Sequence, residues 1–259
     1  MEQENMKSLM KTFDILDYFL RGPEEISVTE ISLALGLNKT TVNRIMLKLV
    51  DRGYLKQIAK RGKYSLGTIF LEFSGIIKSR LRIRDIALPH LFELSRRVKE
   101  SAMLAVWDKR SSVITESFHD AAYLSSPLKI VPDEGVSMPL YCTCLGKIFL
   151  ANMTEEELQE YFKNTKLVRR TTNTLTDAHK ILKQLSQIRT DGVAYDNEEY
   201  AVGVRGVGAG ILNNEGKVVG SIAVLAPSVR LSPKEMQDII PVVKSFSILI
   251  SRELGYKDK

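Results

Sequence analysis

The N-terminal quarter of the chain has a hydrophobic pattern with helical spacing. Apolar residues recur three and four positions apart over residues 7–20, 28–35 and 38–53, which predicts three helices. Ser27 and Glu30 have the spacing of a capping box at the start of the second helix, and Asn38 can cap the third. A short turn that contains Gly36 joins these two helices. The pattern therefore predicts a helix-turn-helix, a unit whose second helix enters the major groove of DNA.

Two short stretches with strand character follow the third helix. They are YLKQI and KYSLG, separated by AKRG, and this arrangement predicts a hairpin with a basic tip. Helices followed by such a hairpin are typical of a winged helix-turn-helix. The wing of this unit lies along the sugar-phosphate backbone, where it positions the protein without reading the sequence.

The pattern becomes helical again over residues 68–99. A basic run separates two apolar blocks of this region and is expected to be a solvated connector, so a domain boundary is expected near residue 80. Pro89 is expected either to break a helix or to lie in the first turn of one, because proline has no backbone N–H.

Residues 100–259 combine strand and helix patterns. Apolar stretches predict strands at residues 101–107, 112–119, 202–213 and 217–227. Capping residues and apolar stripes predict helices at residues 144–152, 154–162 and 177–190, and from residue 232 onward. We therefore expect an α+β protein with a winged helix-turn-helix domain at 1–67, a helical linker region at 68–99 and a further domain at 100–259.

Positive charge is concentrated in the predicted helix-turn-helix and wing. The net charge of the chain is +6, but residues 36–63 contain eight lysines or arginines and only one acid. An isolated basic run is usually a solvated face, whereas a basic run beside a capping box, a turn and a wing favours phosphate binding. We expect Asn43 and Arg44 to reach base edges, and Lys39, Arg61 and Lys63 to contact phosphates. The complete set of expected contacts to double-stranded DNA is Lys39, Thr40, Thr41, Asn43, Arg44, Lys48, Arg61 and Lys63.

Other classes of protein are disfavoured. No apolar stretch approaches the roughly 20 residues of a membrane span and no secretory leader is seen, so we expect a cytoplasmic protein without a membrane partner. Cys142 and Cys144 are too close together to staple a fold, and the scattered histidines offer no metal-site spacing. No acid has an evident catalytic partner, and the glycine-rich VGVRGVGAG leads into a strand, so no catalytic residue, metal or cofactor is expected. The alternative is a small-molecule-binding or hydrolytic domain with an incidental helical N-terminus.

The sequence resembles the IclR family of bacterial transcriptional regulators over nearly its whole length. The matching stretches are SVTEISLALGLNKTTVNRIMLKLVDRGYL, RIRDIALPHLFELS, MPLYCTCLGKIFLA and DGVAYDNEEYAVGVRGVGAGILNNEGKVVGSIAVLAPSVR. The resemblance implies that residues 100–259 form a GAF-like antiparallel sheet with helices, which binds a small-molecule effector. It also implies a DNA-binding regulator, expected to repress a nearby metabolic operon.

The resemblance further implies a ligand pocket between the PLYCTCLGK segment and the two late strands. Family members that respond to small organic acids often have cysteine at the position of Gly206 and serine at those of Ala223 and Leu225. Because these polar groups are missing, and because helix-start N–H groups near Cys144 suit an anion, we expect a medium-sized carboxylate with an apolar or aromatic body. The expected ligand-binding residues are Thr143, Cys144, Leu145, Asp196, Gly206, Ala223 and Leu225, with Trp107 as a weaker candidate.

The oligomeric state follows from how DNA is read. One recognition helix contacts only a few base pairs, so a specific site needs two helices about 34 Å apart, or a multiple of that distance. The resemblance implies a homodimer through the N-terminal domain, or a homotetramer that also uses the effector domain.

Overall fold

The computed structural model describes residues 2–58, 62–107, 112–118, 126 and 128–257. The chain forms two compact units, Met1–Arg80 and Leu81–Lys259. The predicted linker region contains two helices that belong to different units. The role of residues 68–99 as a linker stays a prediction.

The first unit is a helix-turn-helix with a small antiparallel sheet. Its helices are α1 (Glu2–Arg21), α2 (Val28–Leu35), α3 (Lys39–Asp51) and α4 (Ile69–Arg80). Its strands are β1 (Ile26–Ser27), β2 (Leu55–Ile58) and β3 (Lys63–Leu66). The sheet order is β1-β3-β2, so the predicted hairpin pairs with a short strand that precedes α2.

Capping side chains define the helix-turn-helix as the sequence predicts. The Ser27 hydroxyl accepts a hydrogen bond from Glu30 N at 3.2 Å, and the Glu30 carboxylate accepts one from Ser27 N at 2.7 Å. Gly36 ends α2 in the left-handed conformation, with φ of 63°. Asn38 Oδ1 then accepts from Thr40 N at 2.8 Å and starts α3. These local bonds fix the turn that orients α3.

The second unit contains one six-stranded antiparallel sheet covered by helices. The described helices are α5 (Arg82–Val98), α6 (Cys144–Ala151), α7 (Glu155–Asn164), α8 (Ala178–Asp191) and α9 (Pro233–Glu253). The strands are β4 (Ser101–Trp107), β5 (Ser112–Phe118), β6 (Ser137–Met138), β7 (Val193–Asn197), β8 (Val204–Leu212) and β9 (Val218–Pro227). Their order across the sheet is β6-β5-β4-β9-β8-β7. The expected α+β fold is confirmed.

The two faces of this sheet bury separate apolar cores. Successive side chains of a strand point to opposite faces, so Ile222 and Val224 of β9 lie on one face and Ala223 and Leu225 on the other. The first face packs against α5 and α9, and the second packs against α6 and α8. The candidate effector residues of β8 and β9 therefore face α6.

Alternate glycines on β8 allow α6 to lie close to the sheet. A Cβ atom on Gly208 would lie 3.1 Å from the Cys144 carbonyl oxygen, and one on Gly210 would lie 3.0 Å from Ile148 Cγ2. Gly206 faces the same side. A side chain at Gly208 would press on the backbone of α6, whereas side chains at Gly206 and Gly210 would meet other side chains.

One expectation about the elements is wrong, and strand β7 of the second sheet was not expected. Pro89 neither breaks a helix nor begins one, because it lies in the middle of α5. Ile83, Ala87 and Leu91 bury one stripe of α5 against the sheet, and this packing keeps the helix continuous despite the missing N–H. Strand β7 was not predicted, since its polar Asp196 and Asn197 interrupt a run that is too short for a clear alternation.

Candidate DNA-binding and effector sites

Helix α3 separates an apolar stripe from a polar face. Val42, Ile45, Met46 and Leu49 are buried in the core of the first unit. The predicted DNA-contacting residues of this helix lie outside that stripe, and all but the half-buried Thr41 are exposed: Lys39, Thr40, Thr41, Asn43, Arg44 and Lys48. The helix thus presents donors, acceptors and positive charge to solvent.

The same face carries Leu47, which the sequence analysis did not select. Leu47 lies seven positions after Thr40, and 46% of its surface is exposed. An exposed leucine among polar side chains is suited to apolar contact with a thymine methyl group. Helical spacing counted from Thr40 would have identified this position.

A basic groove runs beside α3. Arg44, Lys48 and Arg52 are four residues apart and line a cavity of about 450 Å³, together with Ser8 and Thr12 of α1. Arg52 was not among the expected DNA contacts, although it continues the spacing of Arg44 and Lys48. Lys48, Arg52 and the two hydroxyls suit a phosphate contact beside the base-reading Arg44.

The structure describes one of the two wing residues that are predicted to contact phosphates. Lys63 lies at the start of β3, paired with Ser27 of β1 and Ile58 of β2, and its side chain is half-buried. Its charge contributes to lowering the pKa of Glu30, after the larger effect of the Ser27 hydrogen bonds. Arg61 lies outside the described residues.

Three of the candidate effector residues lie in one row across the sheet. Asp196 of β7 pairs with Gly206 of β8, Gly206 pairs with Leu225 of β9, and Leu225 pairs with Ser101 of β4. Ala223 lies in the next row on the same face, opposite Gly208. Residues that are far apart in sequence are thus brought together by strand register.

The space above Gly206 is occupied by two other candidates. A Cβ atom on Gly206 would lie 2.2 Å from Leu225 Cδ2 and 2.9 Å from Cys144 Sγ. Leu145 is buried beside them, and its carbonyl oxygen accepts a hydrogen bond from the Ser221 hydroxyl at 3.1 Å. These contacts form a closely packed apolar cluster at the start of α6.

Thr143 caps α6. Its hydroxyl accepts a hydrogen bond from Gly146 N at 3.0 Å and donates one to the Pro139 carbonyl oxygen at 2.8 Å. The first N–H groups of a helix have no carbonyl partner within it, so those of Cys144 and Leu145 have the arrangement that suits an anion.

A buried charge cluster borders this site and was not predicted. Lys147 is fully buried, donates to the Tyr195 carbonyl oxygen at 2.9 Å and forms an ion pair with Glu199. The second carboxylate oxygen of Glu199 is buried without a hydrogen-bond partner in the described part of the chain. The sequence contained one signal of this cluster, a single lysine in the otherwise apolar helix CLGKIFLA. A buried charge needs a partner, so this lysine indicates an acid nearby in the fold.

Asp196 is the third member of this cluster. Its carboxylate accepts hydrogen bonds from Glu199 N at 2.8 Å and Tyr200 N at 3.3 Å. Burial is the main cause that raises the pKa of Asp196 to about 7; the Glu199 charge acts in the same direction, while the two amides and Lys147 oppose the shift. Asp196 therefore changes charge near neutral pH.

The two cysteines are buried core residues with free thiols. Burial raises the pKa of Cys142 to about 12 and that of Cys144 further, and the nearby Asp196 acts in the same direction. Thiols with such pKa values are neither nucleophiles nor ready metal ligands. Within the described ranges, no group of three side chains has the arrangement of a metal site.

Trp107 lies apart from the other candidates. It is four residues beyond Met103, which pairs with Ala223, so it lies about 13 Å farther along β4. Its ring stacks on Phe149 at 6.5 Å between centroids, and it lines a separate cavity beside α7.

No helix among the described residues is both long enough and apolar enough to cross a bilayer.

Comparison with known proteins covers both units. A model of the IclR helix-turn-helix domain matches residues 8–59, and one described as bacterial transcriptional regulator IclR C-terminal matches residues 77–252. The chain is similar to the HTH-type transcriptional regulator KipR of Bacillus subtilis, with 29% identity over 98% of this chain and 99% of KipR.

Solved structures show the same fold. The crystal structure of Thermotoga maritima IclR has 30% identity and a TM-score of 0.71, over 97% of this chain and all of that one. An IclR homologue from Microbacterium hydrocarbonoxydans, crystallised in complex with 4-hydroxybenzoate, has a TM-score of 0.77 at 21% identity, over 95% of this chain and 98% of that one. The protein is therefore a DNA-binding transcriptional regulator and not an enzyme, and the alternative of a hydrolytic domain with an incidental N-terminus is not supported. The chain belongs to the IclR family of bacterial transcriptional regulators.

Proposed function

We propose that this regulator represses a nearby metabolic operon in the cytoplasm and is released from its operator when a medium-sized carboxylate binds the effector domain. The observation that carries DNA binding is the exposed polar face of α3 in a helix-turn-helix unit. A reporter fused to the adjacent operon provides the test of repression. Deletion of the regulator gene should raise expression, and lower expression in the deletion strain would mean activation instead.

In this proposal, the exposed face of α3 contacts DNA bases, while the wing and the start of α3 contact the sugar-phosphate backbone of the DNA. Asn43 and Arg44 contact base edges, since amide and guanidinium groups match adenine and guanine. Lys39, Arg61 and Lys63 contact phosphates. The interface is completed by Thr40, Thr41 and Lys48.

Binding of a labelled upstream fragment, measured by fluorescence anisotropy, tests these roles. Arg44→Ala should lower the preference for this fragment over scrambled DNA. Lys63→Ala should weaken binding to both DNAs alike. It should also reduce, by about one, the slope of the logarithm of the binding constant against the logarithm of salt concentration. Lys183→Ala removes an exposed lysine from α8 in the other unit, and it should leave both quantities unchanged. If both DNA-site variants altered only the sequence preference, the assignment of roles would be wrong.

The effector is proposed to bind between the start of α6 and strands β8 and β9. The N–H groups of Cys144 and Leu145 suit a carboxylate. Leu225 covers Gly206, so a ligand here has to displace that side chain, and an apolar body restores the contacts that are lost. The 4-hydroxybenzoate bound by the Microbacterium homologue supports an aromatic carboxylate.

Calorimetric titration with a graded series of acids tests the effector class. The wild type should bind benzoate-sized acids more tightly than glyoxylate or pyruvate. Replacing both Ala223 and Leu225 with serine should weaken binding of the larger acids and improve that of the smaller ones. Val219→Ser, on an exposed position of the same strand, is the matched control. Tight wild-type binding of glyoxylate or pyruvate, without affinity for larger acids, would refute the proposed class.

A homodimer through the first unit is proposed, with a homotetramer through the effector domain as the larger assembly. Helix α4 supports the dimer, because it has no buried residue and exposes Leu71, Phe73, Ile76 and Ile77. An apolar helix face of this size is typical of a surface covered by a partner. Light scattering should give at least twice the chain mass, and an Ile76→Lys/Ile77→Lys variant should dissociate. A wild-type monomer that still bound its operator tightly would contradict the proposal.

A further inference from the structure

A second cavity of the effector domain lies away from the cluster formed by Cys144, Gly206 and Leu225. Its volume is about 690 Å³, within the roughly 300–1,000 Å³ typical of small-molecule sites. Its lining combines the end of β4, the turn between α6 and α7, and one face of α7. The lining residues are Trp107, Met153, Glu157, Glu160, Tyr161, Asn164 and Thr165.

The α7 residues of this cavity form one continuous stripe. Glu157, Glu160, Tyr161 and Asn164 have i, i+3, i+4 and i+7 spacing, which aligns side chains along one helix face. Because a single regular helix carries them, their relative positions are fixed by its backbone. The cavity is therefore a built surface rather than a gap between loops.

Two aromatic rings form walls that are held by packing. Trp107 stacks on the buried Phe149, with centroids 6.5 Å apart and planes inclined by 29°. Tyr161 packs edge-on against Phe162, with centroids 5.4 Å apart. The faces of tryptophan and tyrosine attract cations that come within about 6 Å of the ring centre.

The charge of the lining points to the same class of ligand. Among the described residues, it contains two carboxylates and no lysine or arginine. Glu157 is partly engaged, because it accepts a hydrogen bond from Thr154 N at 2.8 Å, whereas Glu160 has no hydrogen-bond or ion-pair partner among the described residues. Burial raises the pKa of Tyr161, so its hydroxyl remains neutral and the negative charge belongs to the two glutamates. A carboxylate would be repelled here.

The indole of Trp107 adds a second requirement. Its Nε1–H is buried without an acceptor in the described part of the chain. A buried donor without a partner destabilises the folded protein, so a ligand that shifts the indole and brings an acceptor to its edge would gain binding energy. We propose that this cavity is a second ligand site, which binds a small organic ammonium ion that also bears a hydrogen-bond acceptor.

The single tryptophan of the chain makes the proposal directly measurable, because all tryptophan fluorescence comes from Trp107. Fluorescence would be recorded during titration with choline and with tetramethylammonium, with sodium chloride at equal ionic strength as the reference and benzoate as an anionic probe. Choline should give a saturable change and bind more tightly than tetramethylammonium, which has no acceptor. A response to sodium chloride equal to that of choline, or a saturable response to benzoate alone, would overturn the cation site. Equal affinities for the two ammonium ions would overturn the role of the acceptor.

Matched variants of α7 then locate the binding. Glu160→Gln should raise the choline dissociation constant about fivefold, the effect of losing one exposed ion pair. Glu155→Gln removes a carboxylate from the same helix outside the lining, and it should leave the constant unchanged. Leu225→Ser should also leave it unchanged, since Leu225 belongs to the other cluster. Equal dissociation constants for wild type and Glu160→Gln would refute the site and leave the proposals on DNA and carboxylate binding unaffected.

Discussion

Replacing Lys147 with methionine isolates the contribution of the buried charge cluster. Methionine keeps an unbranched apolar side chain of similar length but has no ammonium group. In the wild type that group contacts the Tyr195 carbonyl oxygen and the Glu199 carboxylate, and all of Lys147 is buried. The variant would leave Glu199 and Asp196 as two buried acids without a cation.

The expected loss of stability is large. Removing one partner of a buried ion pair costs about 3–5 kcal/mol, because the remaining charge is buried without compensation. That is a substantial part of the roughly 5–15 kcal/mol by which a folded domain is stable. Lys217→Met is the matched control, since the Lys217 side chain is 75% exposed and pairs with an exposed Glu215. Exposed pairs contribute about 0–1 kcal/mol.

Urea unfolding followed by Trp107 fluorescence measures the effector domain alone, because the first unit has no tryptophan. The midpoint for Lys147→Met should fall well below those of the wild type and Lys217→Met. Adding Glu199→Gln should recover part of the loss, because it removes one of the two uncompensated acids. If the stability of Lys147→Met stayed within about 1 kcal/mol of that of Lys217→Met, the Lys147 ammonium group would not be what compensates the buried acids in the folded protein.

Three further variants test individual positions. Asp196 has a folded-state pKa near 7 against 3.8 when exposed, so the extra stability that it contributes below about pH 4 should disappear as the pH rises through 7. Asp196→Asn should remove this pH dependence, of which about 3 kcal/mol falls between pH 5 and pH 8, in urea titrations at these two pH values. Gly146→Ala would bring a Cβ atom to 2.4 Å from Leu140 Cα and should lower the melting temperature, whereas Gly75→Ala on open helix surface should not. Ser27→Ala should destabilise the first unit by about 1 kcal/mol in thermal unfolding followed by circular dichroism, and an unchanged transition would mean that the capping box contributes nothing.

Much of the first unit could be predicted because its signals are local. The capping pair Ser27 and Glu30, the left-handed Gly36 and the cap Asn38 each act within a few residues, so their spacing alone predicts the turn between α2 and α3. The exposed face of α3 followed from helical periodicity in the same way. Pro89 shows the limit of this reasoning, since the burial of α5 along the sheet outweighed a strong local signal.

The effector site depends on contacts between distant residues. Lys147 and Glu199 are 52 positions apart, and their pairing requires α6 to lie across the end of β7. The contact of Leu225 with Gly206 and Cys144 similarly depends on strand register. The resemblance to a family indicated which positions form the proposed site, but the sequence did not reveal that Leu225 and Cys144 fill the space above Gly206.

The glycines of β8 affect which amino-acid substitutions the protein can accept as it evolves. On one face of the strand, Val207, Ala209 and Ile211 contact other apolar side chains, which can adjust when one of them is replaced by a similar residue. On the opposite face, Gly208 meets the backbone of α6, which has no rotamers with which to adjust. Adjacent positions of one strand should therefore differ sharply in the substitutions that they accept. The proposed effector pocket can gain new specificity through α6, β7, β9 and the Gly206 position, where only side chains would have to move, while the Gly208 position of β8 stays nearly fixed in shape.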